Sequence, residues 1–191
     1  MKARFQIFKA PFYFVGWLAP AYRDGGEANP NGITKQGSQN GLGYAIPSEL
    51  YITVMVQQIE ITLEPKHRGF HLVTSEIVRQ LPPLPKTGIV NIFTKHTSCG
   101  LSINENCDPD VRVDMETIFN RLVPANLPEY QHTLEGSDDM PAHAKSTLSG
   151  VSLTIPITDG RLNLGTWQGI YFCEYRNYGG SRRLVVTIIG E

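Results

Sequence analysis

The stretch "TWQGIYFCEY", Thr166 to Tyr175, limits what this chain can fold into more than any other segment. A strand with one wet face alternates apolar and polar residues, whereas Trp167 to Tyr175 runs apolar almost without a break. That pattern predicts a strand covered on both faces. Around it lie "SLTIPI", an Asp159-Gly160 pair, "RLNLG", a Gly179-Gly180 pair and "RRLVVTIIG". Asp-Gly is the strongest hairpin signal in the chain, so the C-terminal half reads as strands joined by tight turns.

The middle of the chain alternates between periods. Ile59, Ile61 and Leu63 interleave with Glu60 and Thr62 as a half-buried strand, and Phe70 and Leu72 suggest its hairpin partner beyond "KHRG". A short helix is expected from Ser75 to Leu81, stopped by "PPLP". "GIVNIFT" and "GLSIN" read as strands flanking "KHTSC". A longer helix follows: Asp108 can cap it, Pro109 suits its first position, and Val111, Met115, Ile118, Phe119 and Leu122 form one apolar stripe before Pro124. Another short helix opens at Asp139 and closes at Gly150. Strands at both ends with helices between predict an α+β domain, mostly antiparallel sheet packed against a few helices.

Residues 1 to 50 read differently. Lys2, Arg4 and Lys9 precede "APFYFVGWLAP", a run that Pro11 interrupts and that is too short to span a bilayer. "RDGGEANPNGITKQGSQNGLGYAIPS" has linker composition. The expected organisation is therefore a flexible N-terminal extension, either a tail or an upstream-extended start, over 1–50, and a single domain over 51–191. A net charge of -1 supplies no general attraction to nucleic acid, and nothing beyond the short N-terminal run points to a membrane. Cys99, Cys107 and Cys173 are odd in number and lack CxxC spacing, which argues against a disulfide scaffold or a thiolate zinc site and favours a reducing, cytoplasmic setting.

Chemistry-bearing residues gather at the joints. "EGSDDMPAH" places Glu135, Asp138, Asp139 and His143 in nine residues, with His132 just upstream. The loop between His132 and His143 can fold back to bring both together, and imidazoles with a carboxylate suit a divalent ion. The alternative is that Asp138 and Asp139 cap the helix that begins there. In "TKHTSCG", His96 and Cys99 point to opposite faces of an extended segment, so Cys99 is expected to be a small buried thiol, and Thr97 and Ser98 are candidates for anion contacts. "NENCDPD" sets Asn104 and Glu105 before a helix N-terminus, a place for an anion or polar ligand or for simple capping. Gln168 is a polar group costly to bury, Trp167 is expected in the core, and Arg182 and Arg183 could clamp a phosphate.

Taken in order, "HTSCGLSINENCDPDVRVDME", "HTLEGSDDMPAHAKSTLSGVSL" and "GRLNLGTWQGIYFCEYRNYGGSRRLVVTIIG" resemble the YjbQ-like family, often labelled secondary thiamine-phosphate synthase. The likeness runs from about Val56 to the C-terminus, "GTWQGIY" and "DDMPAH" being specific in combination. One departure is that Cys99 stands where familiar members look to have Ala. The resemblance implies a compact α+β fold with a β-sandwich or barrel-like core, a homotrimer, and an enzyme that joins a pyrimidine diphosphate to a thiazole phosphate. Such chemistry asks for a divalent metal, zinc or magnesium, or for cations, and for polar phosphate contacts. Residue chemistry nominates His96, His132 and His143 with Glu105 or Asp139 as the metal or acid-base cluster. Thr97, Ser98, Asn104, Lys145, Gln168, Arg182 and Arg183 are the candidate substrate contacts. Competing expectations are a metal-dependent hydrolase of a small phosphorylated or amide substrate, and a non-catalytic trimer that binds an anionic metabolite.

Overall fold

The computed structural model describes residues 4–11 and 51–191, and among these described residues the chain forms nine strands and three helices. In chain order these are β1 (Arg4–Pro11), β2 (Tyr51–Leu63), β3 (Gly69–Leu72), α1 (Thr74–Val78), β4 (Thr87–Thr94), β5 (Cys99–Glu105), α2 (Pro109–Leu122), α3 (Asp139–Ser149), β6 (Ser152–Thr158), β7 (Arg161–Leu162), β8 (Gln168–Glu174) and β9 (Arg182–Gly190). Apart from β1, the expected N-terminal extension, with its apolar run and linker, lies outside the described residues.

The strands form two sheets, a six-stranded one in the order β1-β2-β9-β4-β6-β7 and a three-stranded one in the order β3-β8-β5. Every pairing registered between β2 and β9 is antiparallel. Period-2 patterning decides what lies between the sheets. Along β9, Leu184, Val186 and Ile188 are fully buried, and they meet Ile61 and Leu63 of β2, Val90 and Ile92 of β4, and Ile155 and Ile157 of β6. The three-stranded sheet answers with Leu101, Ile170 and Phe172. Its other face packs under α2 and α3 through Phe70, Tyr171, Cys173 and Tyr175, with Met115, Phe119 and Ala142 above them. β8 thus lies between two cores, and from Gly169 to Glu174 every residue is buried, as its unbroken apolar run predicts. The result is the expected α+β architecture. No helix among the described residues is long and apolar enough to cross a membrane.

Local chemistry explains the joints. Asp108 caps α2 by accepting from the Asp110 N–H at 2.8 Å, and Pro109 stands at its first turn. Asp159 and Gly160 both have positive φ, 50° and 73°, the requirement of a type I′ hairpin turn. Three expectations need correcting. Phe70 and Leu72 do not pair with β2; their strand pairs with β8, Phe70 opposite Cys173, because the Phe70 ring is buried against Phe119 and Tyr175 under the helices. α1 is shorter than expected, ending at Val78, with single turns from Ile77 to Gln80 and Val78 to Leu81 carrying the chain to the prolines. The α2 stripe is only partly used: Met115 and Phe119 pack on the core, whereas Ile118 and Leu122 remain exposed.

Candidate metal centre

The acidic loop and the start of α3 build the site. Asp139 and His143 are one helical turn apart, so both project from the same face of α3. The segment before the helix turns back at Gly136, whose φ of +106° favours glycine, and brings His132 over the helix N-terminus. His132 Nε2 lies 2.6 Å from Asp139 Oδ2 and His143 Nε2 lies 3.2 Å from the same oxygen. The three ligand atoms fall within 4.8 Å of one another. Asp139 is buried, His143 half-buried and His132 exposed, so the cluster opens to solvent on the His132 side. There His132 lines a small cavity of about 200 Å³ with Tyr130, Thr133, Ser137 and Met140.

Outer contacts hold the geometry. His143 Nδ1 donates to the Thr97 carbonyl at 3.0 Å, which fixes the tautomer and leaves Nε2 with its lone pair facing Asp139 and His132. Arg176, just beyond β8, bonds Asp139 Oδ1, donates to Asp138 Oδ2 at 3.1 Å and reaches the Glu135 carbonyl at 2.7 Å. One guanidinium therefore bridges two adjacent carboxylates and closes the loop onto the sheet. Burial would raise the Asp138 carboxyl, but the Asn177 N–H at 2.8 Å and the Arg176 guanidinium hold it below the usual carboxylate range. The capping alternative fails for Asp138: its side chain makes no cap hydrogen bond on α3 and is spent on Arg176 and Asn177.

His132, Asp139 and His143 converge; the other nominated residues do not join them. His96 Nε2 accepts from the Arg183 backbone N–H at 2.9 Å, and burial followed by the nearby Arg182 and Arg183 charges lowers its pKa. Arg182 is corrected as an anion clamp, since its buried guanidinium grips Glu174 at 2.6 and 2.7 Å and touches Ser98 Oγ at 3.3 Å. Arg183 is exposed and pairs with Glu60 at 3.4 Å. Lys145 is fully buried and donates to Asn120 at 2.5 Å, with burial and then Arg68 pushing its pKa down to about 8; it has no open side for a substrate. Thr97 contributes its carbonyl to the site, as the acceptor for His143 Nδ1. Glu105, Asn104 and Gln168 lie at the far end of β5 and β8. Cys99 is buried against Thr94 Oγ1 at 3.2 Å, and burial raises its thiol pKa, in keeping with an inert thiol. Trp167, expected in the core, is 63% exposed.

Sequence reasoning missed Arg176. The available signal was that Glu135, Asp138 and Asp139 have no Lys or Arg inside their own loop, so a buried member required a cation from elsewhere. Arg176 is the first basic residue after the buried strand.

Comparison with known proteins bears on the same stretch of chain. The family model described as UPF0047 protein YjbQ-like matches residues 58–191. The chain belongs to the UPF0047 YjbQ-like family. The Escherichia coli UPF0047 protein YjbQ is 51% identical over 139 residues, covering 72% of this chain and all of the relative. The Salmonella typhimurium protein of that name is 52% identical over the same length and coverage. Among solved structures, a conserved hypothetical protein from Thermus thermophilus shares 33% identity with a TM-score of 0.61, covering 68% of this chain and 98% of its own. His132, Asp139, His143, Arg176 and Trp167 all lie inside the segment shared with YjbQ-like proteins; residues 1–57 precede the family match.

Proposed function

We propose that this YjbQ-like protein is a divalent-metal enzyme acting on a small phosphorylated substrate, with His132, Asp139 and His143 holding the ion. The observation that carries the reading is the convergence of two imidazole nitrogens and one carboxylate oxygen within 4.8 Å, backed by Thr97 and Arg176. Two nitrogens and one oxygen form a catalytic ligand set that leaves a coordination position open, and the nitrogen share favours zinc over magnesium. Such an ion supplies Lewis-acid stabilisation of the negative charge that grows on a departing phosphate or diphosphate. The chain does the rest. Arg176 and Thr97 orient Asp139 and His143, and the cavity beside His132 gives a small substrate a place to dock. His132, with a side chain 44% exposed, is the ligand on the solvent-facing side of the cluster, beside the cavity where a substrate would dock.

The reaction assigned first is of the thiamine-phosphate synthase type, joining a pyrimidine diphosphate to a thiazole phosphate, on the family resemblance. A second reading is hydrolysis of a small phosphorylated or amide substrate; Arg176 and Arg182 are both committed to carboxylates, so in either reaction the charge of a leaving group would fall to the metal. Mass spectrometry of products formed from the pyrimidine diphosphate, with and without the thiazole phosphate and with and without zinc, tests both. Metal-dependent coupled product supports the first, metal-dependent free pyrimidine alcohol the second, and no metal-dependent product from either sinks the enzyme reading for these substrates. We also propose a homotrimer, on the resemblance and on the exposed Ile89, Phe93 and Ile189 on the six-stranded sheet. Light scattering that gives the 21.3 kDa monomer mass would refute it.

A further inference from the structure

We propose that the groove around Trp167 is a binding site for a small organic cation, at the opposite end of the three-stranded sheet from the metal cluster. β5 runs for seven residues, Cys99 to Glu105, which at strand rise places its two ends about 20 Å apart. The Cys99 end abuts α3 through Ser146 Oγ and the Cys99 carbonyl. The Glu105 end opens on a groove of about 880 Å³ lined by Ile103, Asn104, Glu105, Asp108, Trp167 and Gln168 among others.

A lone exposed aromatic residue is ordinary. Trp167 differs because its turn is fixed from several sides while the indole stays in solvent. The Asn106 N–H donates to the Trp167 carbonyl at 2.9 Å, and Asn106 Nδ2 donates to the Thr166 and Gln168 carbonyls at 3.0 Å each. The Gly165 N–H donates to Gln168 Oε1 at 2.8 Å, and the Gln168 N–H donates to the Gly165 carbonyl at 2.9 Å. The carbonyls of residues 165–168 are all satisfied, so the turn that carries the ring is a rigid scaffold whose backbone ligand binding would not have to order.

Charge selects the occupant. Among the described residues, the charged side chains that line the groove are Glu105 and Asp108, both acidic. The start of α2 offers an anion little, since Pro109 lacks an N–H and the Asp110 N–H is taken by Asp108. Asn104 Oδ1 accepts from the Glu105 N–H, and the charged lining is negative, which favours a cation over the anion expected at Asn104 and Gln168. An aromatic face flanked by carboxylates fits a planar or alkylated nitrogen cation, held by cation–π attraction and ion pairing.

The test is ¹H–¹⁵N NMR on the full chain, following the Trp167 indole N–H, assigned by its loss in Trp167→Phe and so separated from Trp17. The probe is the 1-methylnicotinamide cation, with nicotinamide as its neutral counterpart. The proposal predicts a saturable shift of the Trp167 signal by the cation, at least about tenfold weaker binding of nicotinamide, and a loss of about tenfold in cation affinity in Glu105→Gln/Asp108→Asn. Asn keeps the helix cap, so that variant folds as the parent does. Equal affinity for the two probes, unchanged affinity in the double variant, or a Trp167 signal that shifts with protein concentration alone would overturn it. The last outcome would give the groove to a second copy of the chain. The readout is independent of whether His132, Asp139 and His143 hold a metal.

Discussion

Replacing Arg176 with Met removes the charged partner that Asp138 has among the described residues and one of the contacts that hold Asp139. Asp139 is 1% exposed, and its second oxygen already faces two imidazoles, so the variant leaves a buried carboxylate short of positive charge. Stripping one partner from a buried pair costs about 3–5 kcal/mol. The Arg176 side chain is 23% exposed, so water recovers part of that and about 2–3 kcal/mol is expected. For a chain of this size each kcal/mol lowers Tm by about 2–4 °C, which predicts a drop of roughly 4–12 °C. A divalent ion at the cluster would restore the missing charge. Zinc at 100 times its dissociation constant adds about 2.7 kcal/mol to whichever form binds it, so zinc should recover most of the loss in Arg176→Met. It should do nothing for Arg176→Met combined with His132→Ala and His143→Ala. Differential scanning fluorimetry with zinc and with chelator reads all of these. A metal-free Arg176→Met protein that melts with the wild type would refute the stabilising role given to the guanidinium. Equal zinc shifts with and without the histidines would refute the cluster as the binding site.

Phe172→Ala, in the core between the two sheets, should lower the urea midpoint by the equivalent of about 3–5 kcal/mol with an unchanged m-value; a loss below about 1 kcal/mol would deny that this face of β8 is covered. Asp138 titrates lower in the folded than in the unfolded chain, so the unfolded state takes up its proton first as pH falls. Its contribution is therefore complete above the ordinary carboxyl value of 3.8 and is lost below it. Asp138→Asn should cost stability at pH 7, and the gap to wild type should shrink as pH falls below 3.8; a gap that does not narrow at acid pH would contradict the ionic account. Burial pushes the Cys173 thiol up to about 12 and raises Cys99, while Cys107 is exposed, so Ellman's reagent should label one thiol rapidly in the folded chain. Three rapid thiols would mean that the core is open.

Much of the fold was legible because its signals are local or periodic. The two-sided burial of β8, the Asp108-Pro109 start of α2, the Asp159-Gly160 turn and the placement of β4 and β5 around "KHTSC" all follow from pattern and propensity. Partner choice was not legible. Phe70 and Leu72 alternate like a hairpin strand, but pairing with β8 instead of β2 is set by where the Phe70 ring can be buried, a non-local term. At the site, His132, Asp139 and His143 could be nominated from ligand chemistry and from the i, i+4 spacing of the last two. Arg176 could not be placed there, because its 37-residue separation from Asp139 is closed only by the route of β8 past α3. Basic residues misled for the same reason: Arg182 and Lys145 read as contacts for an anionic substrate, and both are internal partners, of Glu174 and Asn120. Trp167 was expected inside because aromatic residues usually are, but its turn is fixed by Asn106 and Gln168 without help from the ring.

The central claim is that His132, Asp139 and His143 form a metal centre, and inductively coupled plasma mass spectrometry on purified protein tests it most directly. After zinc loading and desalting, the wild type should retain about one equivalent of metal per chain, and His132→Ala/His143→Ala should retain almost none while its circular dichroism is unchanged. Equal metal content in the two proteins, or none in either at concentrations that saturate a three-ligand zinc site, would contradict the account.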